Sequence, residues 1–213
     1  MIDLHTHTLF SDGELIPSEL TRRAAVLGYR AIAMTDHGDM SNLDLIIPRV
    51  VRVADDLSVQ WGLKVLPGIE LTHVPPARFA QAVAEARKLG AVIVNAHGET
   101  IVEPVAEGTN RAALEAGIDI LSHPGLISDA DTELAAQKGI CLEITTRKGH
   151  SLTNGHVVQM ARKHGAKLVV NNDAHAPGDL LSKELVRKIA LGAGMTEDEY
   201  NQATRNSEKL AGL

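Results

Sequence analysis

Short runs rich in Val and Ile alternate along the chain with longer stretches of helical spacing, the pattern of βαβ units wrapped around a parallel sheet. Seven strands are expected, at Ile2–His5, Arg30–Thr35, Lys64–Ile69, Ala91–Asn95, Ile118–Ser122, Ile140–Thr145 and Lys167–Asn171. Six of them follow a glycine within a few residues: Gly28, Gly62, Gly90, Gly117, Gly139 and Gly165. This fits a left-handed residue at the end of each preceding helix. Those helices are expected over Pro17–Leu27, Leu43–Leu57, Pro76–Leu89, Asn110–Ala116, Asp131–Lys138 and Asn154–His164, with Ser18, Asp131 and Asn154 as caps or first-turn residues. Two more, Leu180–Leu191 and Glu197–Lys209, the second capped by Thr196, follow the last strand as a closing layer. No linker rich in Pro, Gly or Ser divides residues 1–213, so one domain is expected. The strand count favours a slightly incomplete α/β barrel over an open doubly wound sheet, two forms that periodicity by itself does not separate.

Placed on this map, the histidines and acids fall at or just past strand C-termini. The first strand leads into His5 and His7, the second into Asp36 and His37, the third into Glu70, the fourth into His97, the fifth into His123 and the seventh into Asp173 and His175. In a parallel barrel those ends share one face, where such barrels carry their active sites. A lone histidine after a strand is ordinarily a turn or surface residue. Polar groups from many strands gathered in one cleft are different, because they would lose hydration and repel one another unless a shared cation held them. Imidazole and carboxylate without thiolate favour zinc, manganese or iron over calcium or magnesium. Nine potential ligands exceed the needs of one ion, so two or three divalent ions are expected, with Glu70 as the bridging carboxylate.

Composition narrows the function. With 44% apolar and 23% charged residues the chain has enough apolar surface for a core and no mark of disorder. A net charge of -6 and a pI near 5.9 argue against a broad basic surface for nucleic acid, and 2% aromatics leave few stacking platforms, so a small phosphorylated substrate is favoured over nucleic acid. The single cysteine, Cys141, excludes an internal disulfide and a tetrathiolate zinc site. No signal-type opening and no run near ~20 apolar residues is present, so a cytoplasmic protein without membrane contact is expected.

DLHTHT at Asp3 to Thr8, TDHG at Thr35 to Gly38, GIE at Gly68 to Glu70, SHPG at Ser122 to Gly125 and NDAH at Asn172 to His175 resemble, in order, the motifs of the polymerase and histidinol phosphatase (PHP) family. The resemblance implies a distorted seven-stranded TIM-like barrel, (β/α)7, with a trinuclear metal site at the C-terminal ends of the strands. It places His5, His7, Glu70 and Asp173 on one ion, Glu70, His97 and His123 on a second, and Asp12, His37 and His175 on a third. Asp12 stands where some members carry His, which alters ligand softness and charge there; by itself Ser11-Asp12-Gly13 is also ordinary turn chemistry.

The expected activity is hydrolysis of a small phosphomonoester by a metal-activated hydroxide, with histidinol phosphate as the substrate the resemblance supplies. Asp36 is expected to orient His37 or to shuttle a proton, and Arg147, past the sixth strand, to fork onto the phosphate. His73 and His150 lie in loops near the pocket, His156 and His164 read as surface groups, and Cys141 and Trp61 as packing residues. Two rivals remain open. One is a nucleotide or oligonucleotide phosphoesterase, disfavoured by the short stretch between Gly38 and Lys64, and the other a non-catalytic regulatory metal module, disfavoured by the complete ligand set.

Overall fold

The computed structural model describes all 213 residues. Seven parallel strands form the barrel wall: β1 (Ile2–Thr6), β2 (Ala31–Met34), β4 (Lys64–Leu71), β5 (Ile93–His97), β6 (Ile120–Ser122), β7 (Cys141–Thr145) and β8 (Lys167–Asn171). A two-residue strand, β3 (His37–Gly38), extends the β2 side and pairs with β4. The helices α1 (Pro17–Val26), α2 (Leu43–Trp61), α3 (Phe79–Lys88), α4 (Thr109–Ala116), α5 (Asp129–Lys138) and α6 (Asn154–His164) cover the outside. Two further helices, α7 (Lys183–Gly192) and α8 (Glu197–Ala211), follow β8, and α8 lies along β8 and β1. The expected segments all appear with ends shifted by a few residues; α2 runs on to Trp61, and β5 begins later and reaches His97 itself.

The glycine reading holds: all six pre-strand glycines have positive φ, between 68° and 104°. Thr196 caps α8 in a reciprocal box with Glu199. For α5 the cap is Ser128, whose hydroxyl accepts from the Asp131 amide, so Asp131 is a first-turn residue. Ser18 likewise sits inside the first turn of α1 behind Ile16, and Asn154, the first residue of α6, bonds back to both backbone groups of Thr145.

Two apolar layers hold the barrel. The larger, of 45 residues, lies between wall and helices; the smaller, of 10, fills the barrel floor and includes Ile2, Leu4, Ala33, Leu66, Ile93, Ile120, Cys141 and Val169, with Ala211 of α8 beneath. Stepping two residues along each strand keeps the inward face. From the floor residues this leads to Glu70 on β4, Asn95 and His97 on β5, Ser122 on β6, Glu143 on β7 and Asn171 on β8. The interior therefore changes from apolar to polar over one or two steps, and the polar end is the face of the strand C-termini.

β1 departs from simple alternation. Its pairing with β2 carries one extra residue between Asp3 and Thr6, a bulge. Leu4 packs in the floor, yet the next residue, His5, also points inward, its ring 3.2 Å from Glu70 and 2.8 Å from Glu143. A bulge re-aims a side chain in this way. The barrel wall is also uneven at its closure, where β8 meets β1 through a single bridge, Thr6 with Ala174, rather than a ladder.

Candidate metal centre

The nine side chains expected to bind metal come together at the C-terminal mouth. Glu70 is central: Oε1 lies 3.2 Å from His5 Nε2 and 3.5 Å from His123 Nε2, and Oε2 lies 3.0 Å from His37 Nδ1 and 3.7 Å from His7 Nε2. Asp173 faces the same rings from β8, 3.2 Å from His7 Nε2, 3.6 Å from His5 Nε2 and 3.6 Å from His123 Nε2. Asp12 stands at the outer edge, 3.2 Å from His175 Nε2 and 3.6 Å from His37 Nε2. Donor atoms within 4.8 Å of one another form four groups: His5, His7 and Glu70; His5, His123 and Asp173; His7, Asp12, His37 and His175; and His97, His123 and His150. Between the rings lies a cavity of about 40 Å³ with no apolar lining. A roomier cleft of about 150 Å³ at the opposite end, near Met1, Arg30 and Lys183, contains no histidine.

Two of these residues adopt backbone conformations that L-residues rarely use. His123 has φ 28° and Asp173 φ 55°. Such geometry costs ~1–3 kcal/mol per residue and is retained where surrounding structure enforces it, often at functional sites. The turns around them are equally constrained. A Cβ on Gly125, which has φ +66°, would lie 1.8 Å from the Glu99 carbonyl oxygen, and one on Gly13 would lie 2.4 Å from the His7 carbonyl oxygen, so the SHPG and Ser11-Asp12-Gly13 turns need glycine to bring His123 and Asp12 into place.

The donor set fits cations on its own physical evidence. His5 Nε2, both ring nitrogens of His7, both oxygens of Glu70, His123 Nδ1 and Asp173 Oδ1 are buried without a hydrogen-bond partner. An unsatisfied buried polar group costs ~1–3 kcal/mol, so a donor set left in this state favours bound cations. Burial holds the His7 and His123 imidazoles well below the usual histidine range, aided by neighbouring histidines, which leaves them in the neutral form that ligates metal. Burial also raises Asp173 to about 6, against the pull of His5. For His37, burial is outweighed by Asp12 and Glu70, and its pKa rises to about 10. His5 is raised as well, because Glu143, Glu70 and Asp173 overcome its desolvation. Protons on His5 and His37 thus stand where cations fit, and a cation would displace them.

The other expected residues fall differently. Asp36 is fully buried, but its carboxylate accepts from the Thr8 and Ser11 amides and hydroxyls at 2.7–3.2 Å. It ties down the loop that carries Asp12, while His37 Nδ1 meets Thr72 Oγ1 at 2.6 Å; orientation of His37 by Asp36 is not what the contacts provide. Asp36 lies in the link between β2 and β3, and its side chain turns to the Thr8–Ser11 turn while His37 turns to Glu70 and Thr72. Arg147 does line the mouth, with Nη1 donating to the Asp173 carbonyl at 3.3 Å and Nε 3.7 Å from the Asp173 carboxylate. His150 is buried in the cavity wall and stacks on His123 at 4.2 Å, and His73 lies over His97 at 5.5 Å. His156 is not a free surface group, since Nε2 meets the Ile127 carbonyl at 2.8 Å; His164 pairs with Asp129. Trp61 is 38% exposed beneath Arg22 rather than packed in the core, whereas Cys141 is buried in the barrel floor.

Two acids were not singled out from the sequence. Glu143, fully buried on β7, accepts from Asn171 Nδ2 at 2.8 Å and from the His123 amide at 3.1 Å, and holds His5 Nδ1 at 2.8 Å. It fixes which nitrogen of His5 faces the cavity. A charged residue in mid-strand, on the same inward parity as Cys141 and Thr145, was the available signal. Glu103 comes from the loop after β5, where no periodicity marks it, and meets His97 and His150.

The chain is similar to known proteins over most of its length. The PHP domain model matches residues 3–98, from the β1 histidines through His97. An uncharacterized protein of Methanocaldococcus jannaschii, MJ1295, is 49% identical over 199 residues, covering 92% of this chain and 91% of that protein. This chain belongs to the PHP family. The PHP chain is also 29% identical over 205 residues to ribonuclease P protein component 3 of Methanosarcina mazei, covering 88% of this chain and 79% of the relative. It is 28% identical over 228 residues to a probable phosphatase of Thermoanaerobacter pseudethanolicus, covering 93% and 88% respectively. Among solved folds, archaeal ribonuclease P with mature tRNA aligns at TM-score 0.72 and 17% identity, covering 100% of this chain and 90% of that one. Histidinol phosphate phosphatase from Lactococcus lactis, complexed with zinc, L-histidinol and phosphate, aligns at TM-score 0.63 and 17% identity, covering 92% and 94%. These two likenesses show the distorted TIM-like barrel. No helix is long and apolar enough to cross a membrane.

Proposed function

We propose that this PHP protein is a metal-dependent phosphoesterase that hydrolyses a small phosphomonoester. The observation that carries the reading is the convergence of buried, unpartnered imidazole and carboxylate atoms from β1, β4, β6 and β8 around a wholly polar cavity. His5, His7, Glu70 and Asp173 would hold one cation, His97 and His123 with Glu70 a second, and Asp12, His37 and His175 a third, with zinc, manganese or iron as the fitting metals. Divalent cations bound there supply Lewis acidity toward a phosphoryl group and acidify a water molecule.

The chain's own residues do the rest. Arg147 offers guanidinium N–H groups at the cavity mouth, beside Asp173, and binds and orients the phosphoryl oxygens. Glu143 keeps His5 in the tautomer that presents Nε2 inward. Asp36 holds the Thr8–Ser11 turn, and with it Asp12, at the rim. Residues 1–213 serve as one unit, with α8 closing the barrel floor, and limited proteolysis should release no stable fragment.

The test is a screen of zinc- or manganese-loaded protein against histidinol phosphate, p-nitrophenyl phosphate, a nucleoside bisphosphate and a short single-stranded oligonucleotide. The highest kcat/KM on a monoester supports the reading, and no turnover with any metal overturns it. A second reading is favoured by the relatives named ribonuclease P protein component 3 and by the archaeal ribonuclease P fold likeness: a subunit of an RNA-containing assembly. The net charge of -6 weighs against direct tracking of an RNA backbone. Binding to ribonuclease P RNA and its protein components, tested by native gel shift, separates the two.

A further inference from the structure

The cavity among the imidazoles measures about 40 Å³, and a water-sized group needs roughly 10–15 Å³ of such space, so only the reacting end of a phosphomonoester fits there. The alcohol half must lie outside. The loops after β5 and β6 wall the cavity through His97, Glu103 and His123. Other residues of the same two loops, Glu99, Ile101, Pro124, Leu126 and Ile127, line a groove of about 450 Å³. Small-molecule sites span about 300–1,000 Å³, so the groove has the room of one.

Most polar groups along the groove are already engaged with one another. Glu99 accepts from the Asn110 amide at 2.8 Å, Asn110 Oδ1 accepts from the Glu99 amide at 3.0 Å, and Asn110 Nδ2 donates to the Pro124 carbonyl at 2.9 Å. Arg111 pairs with Asp131 at 2.7 Å, and Ser128 caps α5. The apolar side chains are free by contrast: Ile101 is 54% exposed and Leu126 66%. A polar group laid in the groove would lose water without finding a partner, whereas an apolar one would gain by leaving water. Glu107, the remaining charge on the groove, has no cation beside it and repels a phosphate, which directs the phosphoryl end to the cavity.

We propose that this groove receives an apolar alcohol half of the phosphomonoester, an alkyl or aryl group, and that Ile101 and Leu126 set the preference. This rests on the phosphomonoesterase reading and deepens it by naming the class of substrate. The groove shares its loops with His97 and His123, so one molecule spans both: phosphate among the imidazoles, apolar tail across the loops.

The metal-loaded full chain is titrated by calorimetry with methyl, butyl and hexyl phosphonate, which offer phosphoryl oxygens but no ester to hydrolyse. In parallel, kcat/KM is measured for methyl, butyl and hexyl phosphate. A fully buried methylene is worth about fourfold in affinity, and about twofold in a groove that covers one side of it. Hexyl phosphonate should therefore bind about thirtyfold more tightly than methyl phosphonate, and kcat/KM should rise along the phosphate series. I101S/L126S should bring the hexyl-to-methyl ratio below about fivefold by weakening hexyl binding; both side chains are exposed, so the fold does not depend on them. A wild-type ratio under about threefold, or a ratio unchanged in the double variant, overturns the inference. Phosphonate binding that strengthens with chain length, without turnover of any phosphate, sinks the phosphoesterase reading and leaves the groove. Turnover with a flat series sinks the groove alone, and no binding of any phosphonate sinks both.

Discussion

Glu143→Gln removes one charge and almost no volume from the floor of the site. In the wild type the carboxylate, with no solvent exposure, serves His5 Nδ1 and Asn171 Nδ2 with Oε1, each at 2.8 Å, and the His123 amide with Oε2 at 3.1 Å. A glutamine has one acceptor oxygen. If it faces His5 and Asn171, its NH2 group confronts the His123 N–H, and a buried donor is left unsatisfied at a cost of ~1–3 kcal/mol. Loss of a partner to a metal-binding histidine weakens affinity by about 10–100-fold, or ~1.4–2.7 kcal/mol, so both routes give the same size of effect. One effect runs the other way. Glu143 is the first of the carboxylates that raise His5 against its burial, so the wild type must expel a more firmly held proton when a cation binds. The variant is relieved of part of that cost at low pH, and its deficit should be larger at pH 8 than at pH 6. Zinc affinity measured by chelator competition at both pH values checks this; a variant within threefold of wild type at pH 8 would show that the His5 tautomer does not depend on Glu143.

Arg147→Ala should raise KM for a phosphate monoester at least tenfold with zinc content unchanged; an unaltered KM removes Arg147 from phosphate binding. In chelated protein, His37 has a pKa near 10, above its ordinary 6.5, so its contribution to stability is whole below pH 6.5 and fades as pH rises toward 10. The stability gap between chelated wild type and His37→Gln should therefore shrink over that range, and a gap constant with pH in urea titrations refutes the Asp12–His37–Glu70 coupling. Gly125→Ala places a Cβ against the Glu99 carbonyl in a left-handed turn and should cost ~3 kcal/mol in urea denaturation, with a loss below 1 kcal/mol counting against the tight turn. Chelation should speed amide hydrogen exchange at 3–8 and 171–175 before the rest of the barrel, since those segments meet through one bridge; uniform exchange would contradict this.

The wall of the barrel was legible because the strands are apolar runs, six of the seven following a glycine, and because a parallel barrel turns all strand C-termini to one face. That geometry brought eight of the nine expected donors to one face, and the resemblance to the PHP family supplied the ninth, Asp12. Where side chains turn by mechanisms local to the backbone, the sequence was less informative. The β1 bulge that puts Leu4 and His5 on the same side leaves no compositional mark, and a strict alternation would have sent one of them outward. Asp36 differs for a related reason: it adjoins His37 in the chain, yet in the link between β2 and β3 its carboxylate turns to the Thr8 and Ser11 amides, which adjacency in sequence does not encode. Glu103 and His150 reach the cavity from loops, His150 meeting Thr100 across them, and no periodic pattern encodes such paths.

The seam between β8 and β1 ties these observations together. Side chains take over where the ladder is missing: Leu4 N donates to Asn171 Oδ1 at 3.0 Å, and Asn172 donates to Asp3 from its amide and its side chain at 3.2 and 2.8 Å. One step above them, His5 and His7 on one bank face Asp173 and His175 on the other, with His7 Nε2 3.2 Å from Asp173 and the His7 and His175 rings stacked at 3.9 Å. A cation shared across that gap would be both a reactive centre and the cross-link that the backbone omits. The same residues carry strained φ at Asp173 and unsatisfied atoms on His5 and His7, and an ion held between them would satisfy those atoms and offset the cost of that backbone geometry. Stability and chemistry are in that case not separable properties of this barrel, because the charge that activates a phosphate also holds the first strand to the last.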